Sequence, residues 1–128
     1  MKADPGAADL VRAITPKVAP FAMGDEIAPG ITTVAVDGHT PGHAAAEIAS
    51  QGERLLYIGD TAHHSVISVQ RPDWTIQFDG DAPTAQASRR ETLRRASAEN
   101  LRIFSPHFPF PGLGRFRSEG DGYVWVAD

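Results

Sequence analysis

Three side chains of metal-ligand type stand at equivalent places in this sequence. His39 follows the run ITTVAV at 31–36, Asp60 follows RLLYIG at 54–59, and His107 follows LRIFS at 101–105. Each run is short, apolar and rich in β-branched or aliphatic residues, so each reads as a strand with a ligand just past its end. If these strands lie in one sheet and run the same way, their ends share one edge, where open α/β sheets carry their sites. The ligands are 21 and 47 residues apart, too far for a local finger, so the fold itself must gather them. Imidazole with carboxylate suits Zn²⁺, Mn²⁺, Fe²⁺ or Co²⁺, and a carboxylate spanning two ions sets them about 3.5 to 4 Å apart around a shared water. Attack of that water on an ester carbonyl or a phosphoryl centre is the chemistry such a set supports. Any one of these histidines alone would be an ordinary hydrogen-bonded turn residue; the signal is in the three together.

The local sequences sharpen this. GHTPGH at 38–43, YIGDTAHH at 57–64 and SPHFPFPGLG at 105–114 resemble, in order and spacing, the successive motifs in the second half of metallo-β-lactamase-fold hydrolases. The resemblance runs from Asp25 to Asp128. FPGLG after the last histidine, with GDGYVWV near the end, looks most like the methyl parathion hydrolase branch and its lactonase relatives. It implies an α/β (α+β) chain forming half of a four-layer α/β/β/α sandwich, with one mixed sheet and helices on one face. It also implies that His39 binds one metal, Asp60 bridges two and His107 binds the second, with zinc the expected ion. His43 takes a supporting place around the ligands, while Thr40 and Gly42 shape the turn that orients His39. His63 falls near the pocket, on the substrate side. Phe108 and Phe110 flank the last ligand as pocket walls or as core, and His64 has no implied role.

One departure from the family is large. Its HxHxDH motif supplies the remaining ligands, yet His39 is the first histidine of this sequence. Each ion would then have two protein ligands where catalytic zinc usually has three. Ester, lactone or phosphotriester hydrolysis is therefore expected to be weak or absent from this half alone. The sheet face that the other half would cover is expected to be apolar and to draw the chain into a homo-oligomer or onto a separate N-terminal half. Two other readings stay open: a small self-sufficient hydrolase whose homodimer rebuilds the site, and a non-catalytic metal-binding or interaction module. Metal content and oligomeric state separate them. The substrate does not follow from the ligands, which ester, lactone and phosphotriester hydrolysis share.

The elements that must position these groups follow from the pattern. Residues 1–24 read as a helical lead-in, with Asp4 as cap and Pro5 in the first turn of a helix ending before Pro16. Residues 25–128 carry the sheet: a short strand at 26–28, a Pro29-Gly30 turn, the 31–36 strand, a hairpin of 44–50 with 54–59, and strands at 101–105 and 123–127. The 54–59 strand reads as buried on both faces. Residues 61–80 read as loop with one helical turn. Asp81 caps a helix over about 82–98 whose apolar face is Ala85, Thr92, Leu93 and Ala96. Arg89, Arg90, Arg94 and Arg95 are placed on its solvated side, with a Glu91–Arg95 pair, and Trp74 and Trp125 are placed in packing roles.

Composition excludes more than it identifies. In 128 residues, 41% are hydrophobic and 22% charged, as in ordinary globular domains. The net charge of −4 gives no footprint for nucleic acid or an anionic membrane. No cysteine is present, so a metal must be held by nitrogen and oxygen. Without an apolar leader or spanning run, the expected location is the cytoplasm.

Overall fold

The computed structural model describes residues 5–128, so Asp4 lies outside the described residues. Helix α1 spans Pro5–Ile14 and runs into a 3₁₀ turn at Thr15–Lys17. There Pro16 stands in the first turn, where its missing N–H costs nothing. A single seven-stranded sheet follows, its strands in sequence order: β1 Glu26–Ala28, β2 Ile31–Ala35, β3 Ala44–Ser50, β4 Glu53–Tyr57, β5 Arg102–Phe104, β6 Leu113–Glu119 and β7 Gly122–Ala127. All neighbours are antiparallel except β4 and β5. Strands β2, β4 and β5 therefore point the same way, and their C-terminal ends share one edge. Among the described residues no helix is long and apolar enough to cross a membrane.

The crossover from β4 to β5 carries the short helix α2, Ile67–Gln70, and the long helix α3, Ala82–Ala98. Asp81 caps α3 by accepting from the Thr84 N–H at 3.3 Å, and Pro83 sits in its first turn. Ala85, Thr92, Leu93 and Ala96 face the sheet and are buried. Leu93 and Ala96 join Val36, Ala45, Leu56, Ile58, Ile103 and Phe116 in one core.

The opposite sheet face is barely covered. Ile31, Ile48, Leu55, Tyr57 and Val124 are only half-buried, and Phe104 and Val126 are exposed. This corrects the reading of the 54–59 strand as buried on both faces. Leu56 and Ile58 are buried beneath α3, whereas Leu55 and Tyr57 point to the other side, because successive side chains of a strand alternate. Residues 6–14 of α1 are exposed throughout, and they carry Leu10, Val11 and Ile14.

Other differences have local causes. Strand β6 was not expected from the sequence; its alternation of Arg115 and Arg117 with Phe116 is a strand signal obscured by Gly112 and Gly114. Gly114 is required where it stands, since a Cβ there would lie 2.3 Å from the Val126 carbonyl oxygen and 2.7 Å from the Trp125 ring. Trp125 packs against Phe108 and Phe116, but Trp74 is exposed. Glu91 pairs with Arg94, while Arg95 reaches Glu99 and Glu47. Most consequential, Arg89 is not solvated: its side chain is 1% exposed.

Candidate metal centre

The loop after β2 is built to hold His39 still. Gly38 has φ +119°, and a Cβ on it would lie 2.1 Å from the Ala85 nitrogen, so only glycine allows this loop to press on the start of α3. The Gly38 and His39 carbonyls accept from the N–H groups of Asp81 and Gly80 at 2.9 and 3.0 Å. The Ser88 hydroxyl donates to the Asp37 carbonyl at 2.7 Å. The imidazole is fixed as well, since His39 Nδ1 lies 3.1 Å from Asp79 Oδ1. Beside a carboxylate that nitrogen carries the proton, which leaves Nε2 with a free lone pair. Nε2 lies 3.6 Å from Asp60 Oδ2.

Asp60 stands in a 3₁₀ turn, Gly59–Thr61, just beyond β4. Its backbone N–H donates to His43 Nε2 at 3.1 Å, and His43 Nδ1 donates to the Val36 carbonyl at 3.1 Å. Both ring nitrogens of His43 are thus engaged with backbone. Gly59 makes room for that ring, since a Cβ there would lie 2.8 Å from His43 Nε2. On the other side of the carboxylate, His107 Nε2 lies 2.6 Å from Asp60 Oδ1. The hydrogen bond from His107 holds the Asp60 carboxyl below the usual carboxylate range, helped by the nearby His107, His39 and His63.

The three residues singled out from the sequence therefore converge on one carboxylate, one histidine to each oxygen. His63 joins them. Its ring stacks on His107 at 4.6 Å between centroids and lies 4.9 Å from that of His39. Ligand atoms of Asp60, His63 and His107 all lie within 4.8 Å of one another. Burial, and the charge His107 and His39 carry when protonated, push the His63 pKa down, favouring the neutral form. His64 instead caps α2, its Nδ1 accepting from the N–H groups of Val66 and Ile67. Phe108 is a core residue against Trp125, and Phe110 is 99% exposed.

Two residues of the site went unrecognised in the sequence. The Asp79 side chain is fully buried and spans His39 and Arg89, with Oδ2 2.9 Å from the Arg89 guanidinium. Arg89 spends its other donors on the carbonyls of Thr61, Pro72 and Trp74 at 2.9, 2.7 and 3.2 Å. The signal was available. Arg89 lies four residues after Ala85 and four before Leu93, on the apolar stripe of α3, where an arginine requires a buried acidic partner.

This geometry ranks the two histidines of GHTPGH. Replacing His43 with alanine removes contacts to backbone, whereas replacing His39 removes a free lone pair aimed at Asp60. His43→Ala is expected to reduce total bound zinc less than His39→Ala, measured by equilibrium dialysis under matched conditions. The reverse order would mean that the wrong histidine has been assigned.

No family model and no curated protein matches the chain. Solved structures do match. AidC, a dizinc quorum-quenching lactonase solved with a product, is 31% identical over 97% of this chain and 42% of its own, with a TM-score of 0.89. AbOPH, a hydrolase of the β-lactamase superfamily, is 30% identical over 92% of this chain and 41% of its own, with a TM-score of 0.84. A probable metal-dependent hydrolase from Staphylococcus aureus, at 20% identity and a TM-score of 0.70, shares the fold. The chain spans about two fifths of the length of these proteins. Its seven-stranded mixed sheet and helices have the fold of metallo-β-lactamase superfamily hydrolases, over that part of their length.

Proposed function

We propose that this chain supplies one side of a two-metal hydrolytic centre for esters, lactones or phosphotriesters, with His39, Asp60 and His107 as its ligands. The observation that carries this reading is the convergence of the β2, β4 and β5 ends, with a histidine facing each oxygen of Asp60. The donor set fits a divalent ion, because His39 presents a free Nε2 and His107 presents its Nε2 to a carboxylate held ionised. Zinc is the favoured ion and a lactone the favoured substrate, on the likeness to the dizinc lactonase. When bound, such ions acidify water and draw charge from the electrophile's oxygen. Around them Asp79 and Arg89 hold the His39 tautomer, and His43 seats the Asp60 backbone.

With two of these ligands per ion the chain alone turns over little substrate. The remaining ligands come from residues beyond these 128 or from a second copy, seated on the uncovered sheet face.

Zinc titration of the full chain by calorimetry tests the reading. Binding should be lost in Asp60→Asn and kept in His64→Ala. Equal binding by the chain and Asp60→Asn would overturn it.

A further inference from the structure

The metal reading above gives each ion two ligands from this chain, but the placement of His63 makes the two sides of Asp60 unequal. Oδ1 faces His107 and Oδ2 faces His39, and the His63 ring lies 4.6 Å from that of His107 and 4.9 Å from that of His39, but among the described residues its ligand atom groups with those of Asp60 and His107 and not with His39. We propose that His63 is a metal ligand, and that Asp60, His63 and His107 together hold one divalent ion on this chain without any partner. The proposal rests on that reading and adds an order of occupancy: the Oδ1 side fills first, with three protein ligands, and the Oδ2 side is left with two.

The geometry is close to what this requires. Ligand atoms on one tetrahedral zinc, each about 2.0 to 2.1 Å from the ion, lie roughly 3.3 Å apart. The three ligand atoms here lie within 4.8 Å of one another, so small side-chain rotations close the set. The backbone beneath His63 is already fixed, because Ser68 Oγ accepts from the N–H groups of His63 and His64 at 3.2 and 3.1 Å. His63 Nδ1 is buried without a hydrogen-bond partner, a cost that a structural histidine would normally avoid. His107 and Asp60 are joined by a short hydrogen bond, so an ion entering between them displaces the shared proton. Three protein ligands with one position open is the count of a catalytic zinc site.

The test is zinc titration of the full ¹⁵N-labelled chain, following the histidine ring nitrogens by NMR, with affinities measured for variants in parallel. One equivalent of zinc should shift the ring nitrogens of His63 and His107 together and leave His43 and His64 in place. His63→Ala should weaken the first zinc by more than the roughly 10- to 100-fold typical of an outer-shell change, and His39→Ala by less than His63→Ala. If zinc shifts His39 and His107 while His63 stays, His63 is not a ligand and the two-metal reading survives. If no histidine shifts, both fall. The nitrogen spectrum uses the unsubstituted chain, so the answer does not depend on any variant folding.

Discussion

Replacing Arg89 with methionine is expected to destabilise the chain by about 3 to 5 kcal/mol in denaturant unfolding, the range for removing one partner of a buried ion pair. The guanidinium is enclosed with Asp79, and three backbone carbonyls share its remaining donors. Methionine fills similar space but leaves the Asp79 carboxylate buried beside His39 alone. It also strands the carbonyls of Thr61, Pro72 and Trp74. Part of the loss should return in the double variant Asp79→Asn, Arg89→Met, because the buried charge is then gone. The coupling energy between the two sites separates this effect from lost packing. A single Arg89→Met chain within 1 kcal/mol of the parent would show that the pair does not hold the 61–79 segment. The exposed pair of Arg94 with Glu91 should show almost nothing when Arg94 is replaced.

The contrast between Arg89 and Arg94 also marks how far the sequence could be read. Strands β2 to β5, the span of α3 and the three ligand candidates are legible because strand propensity, a helix cap and the GHTPGH, GD and final-histidine motifs are local patterns. Charge alone reads the four arginines of α3 as one solvated group, although helical phase separates Arg89 from the rest. Asp79 carries no local pattern. It reaches the site only when the chain folds it between His39 and Arg89, 40 and 10 residues away. His63 was legible as a residue beside the pocket, but its ring contacts with His39 and His107 depend on how the 61–68 turn closes on Ser68. Strand β6 was lost to its glycines. Gly114 weakens the propensity signal, and its reason lies across the sheet, under Trp125.

The full chain is expected to be a dimer or higher oligomer at micromolar concentration, joined through the sheet face opposite α3. Ile31, Ile48, Leu55, Tyr57, Phe104, Val124 and Val126 lie on that face, none of them buried, beside Arg102, Arg115 and Arg117. At about 25 cal/mol per Å² of apolar surface, several hundred Å² left in water forgoes on the order of 10 kcal/mol, comparable to the whole stability of a small domain. A stable interface usually buries about 1,200 to 2,000 Å² in total, which is the scale of a sheet face met by its copy. Phe104 on β5 and Val126 on the edge strand β7 both lie on that face, so Phe104→Lys and Val126→Lys should shift the population toward monomer in light scattering. Both side chains are already exposed, at 36% and 41%, so an isolated chain should tolerate the change. A monodisperse monomer with cooperative thermal unfolding would overturn the expectation. It would mean that the face is closed from within the chain, and α1 is the element able to do so: Leu10, Val11 and Ile14 form an apolar stripe with no cover of its own. Deleting residues 5–14 would then convert that monomer into an associating species, whereas a dimer formed through the sheet would survive the deletion.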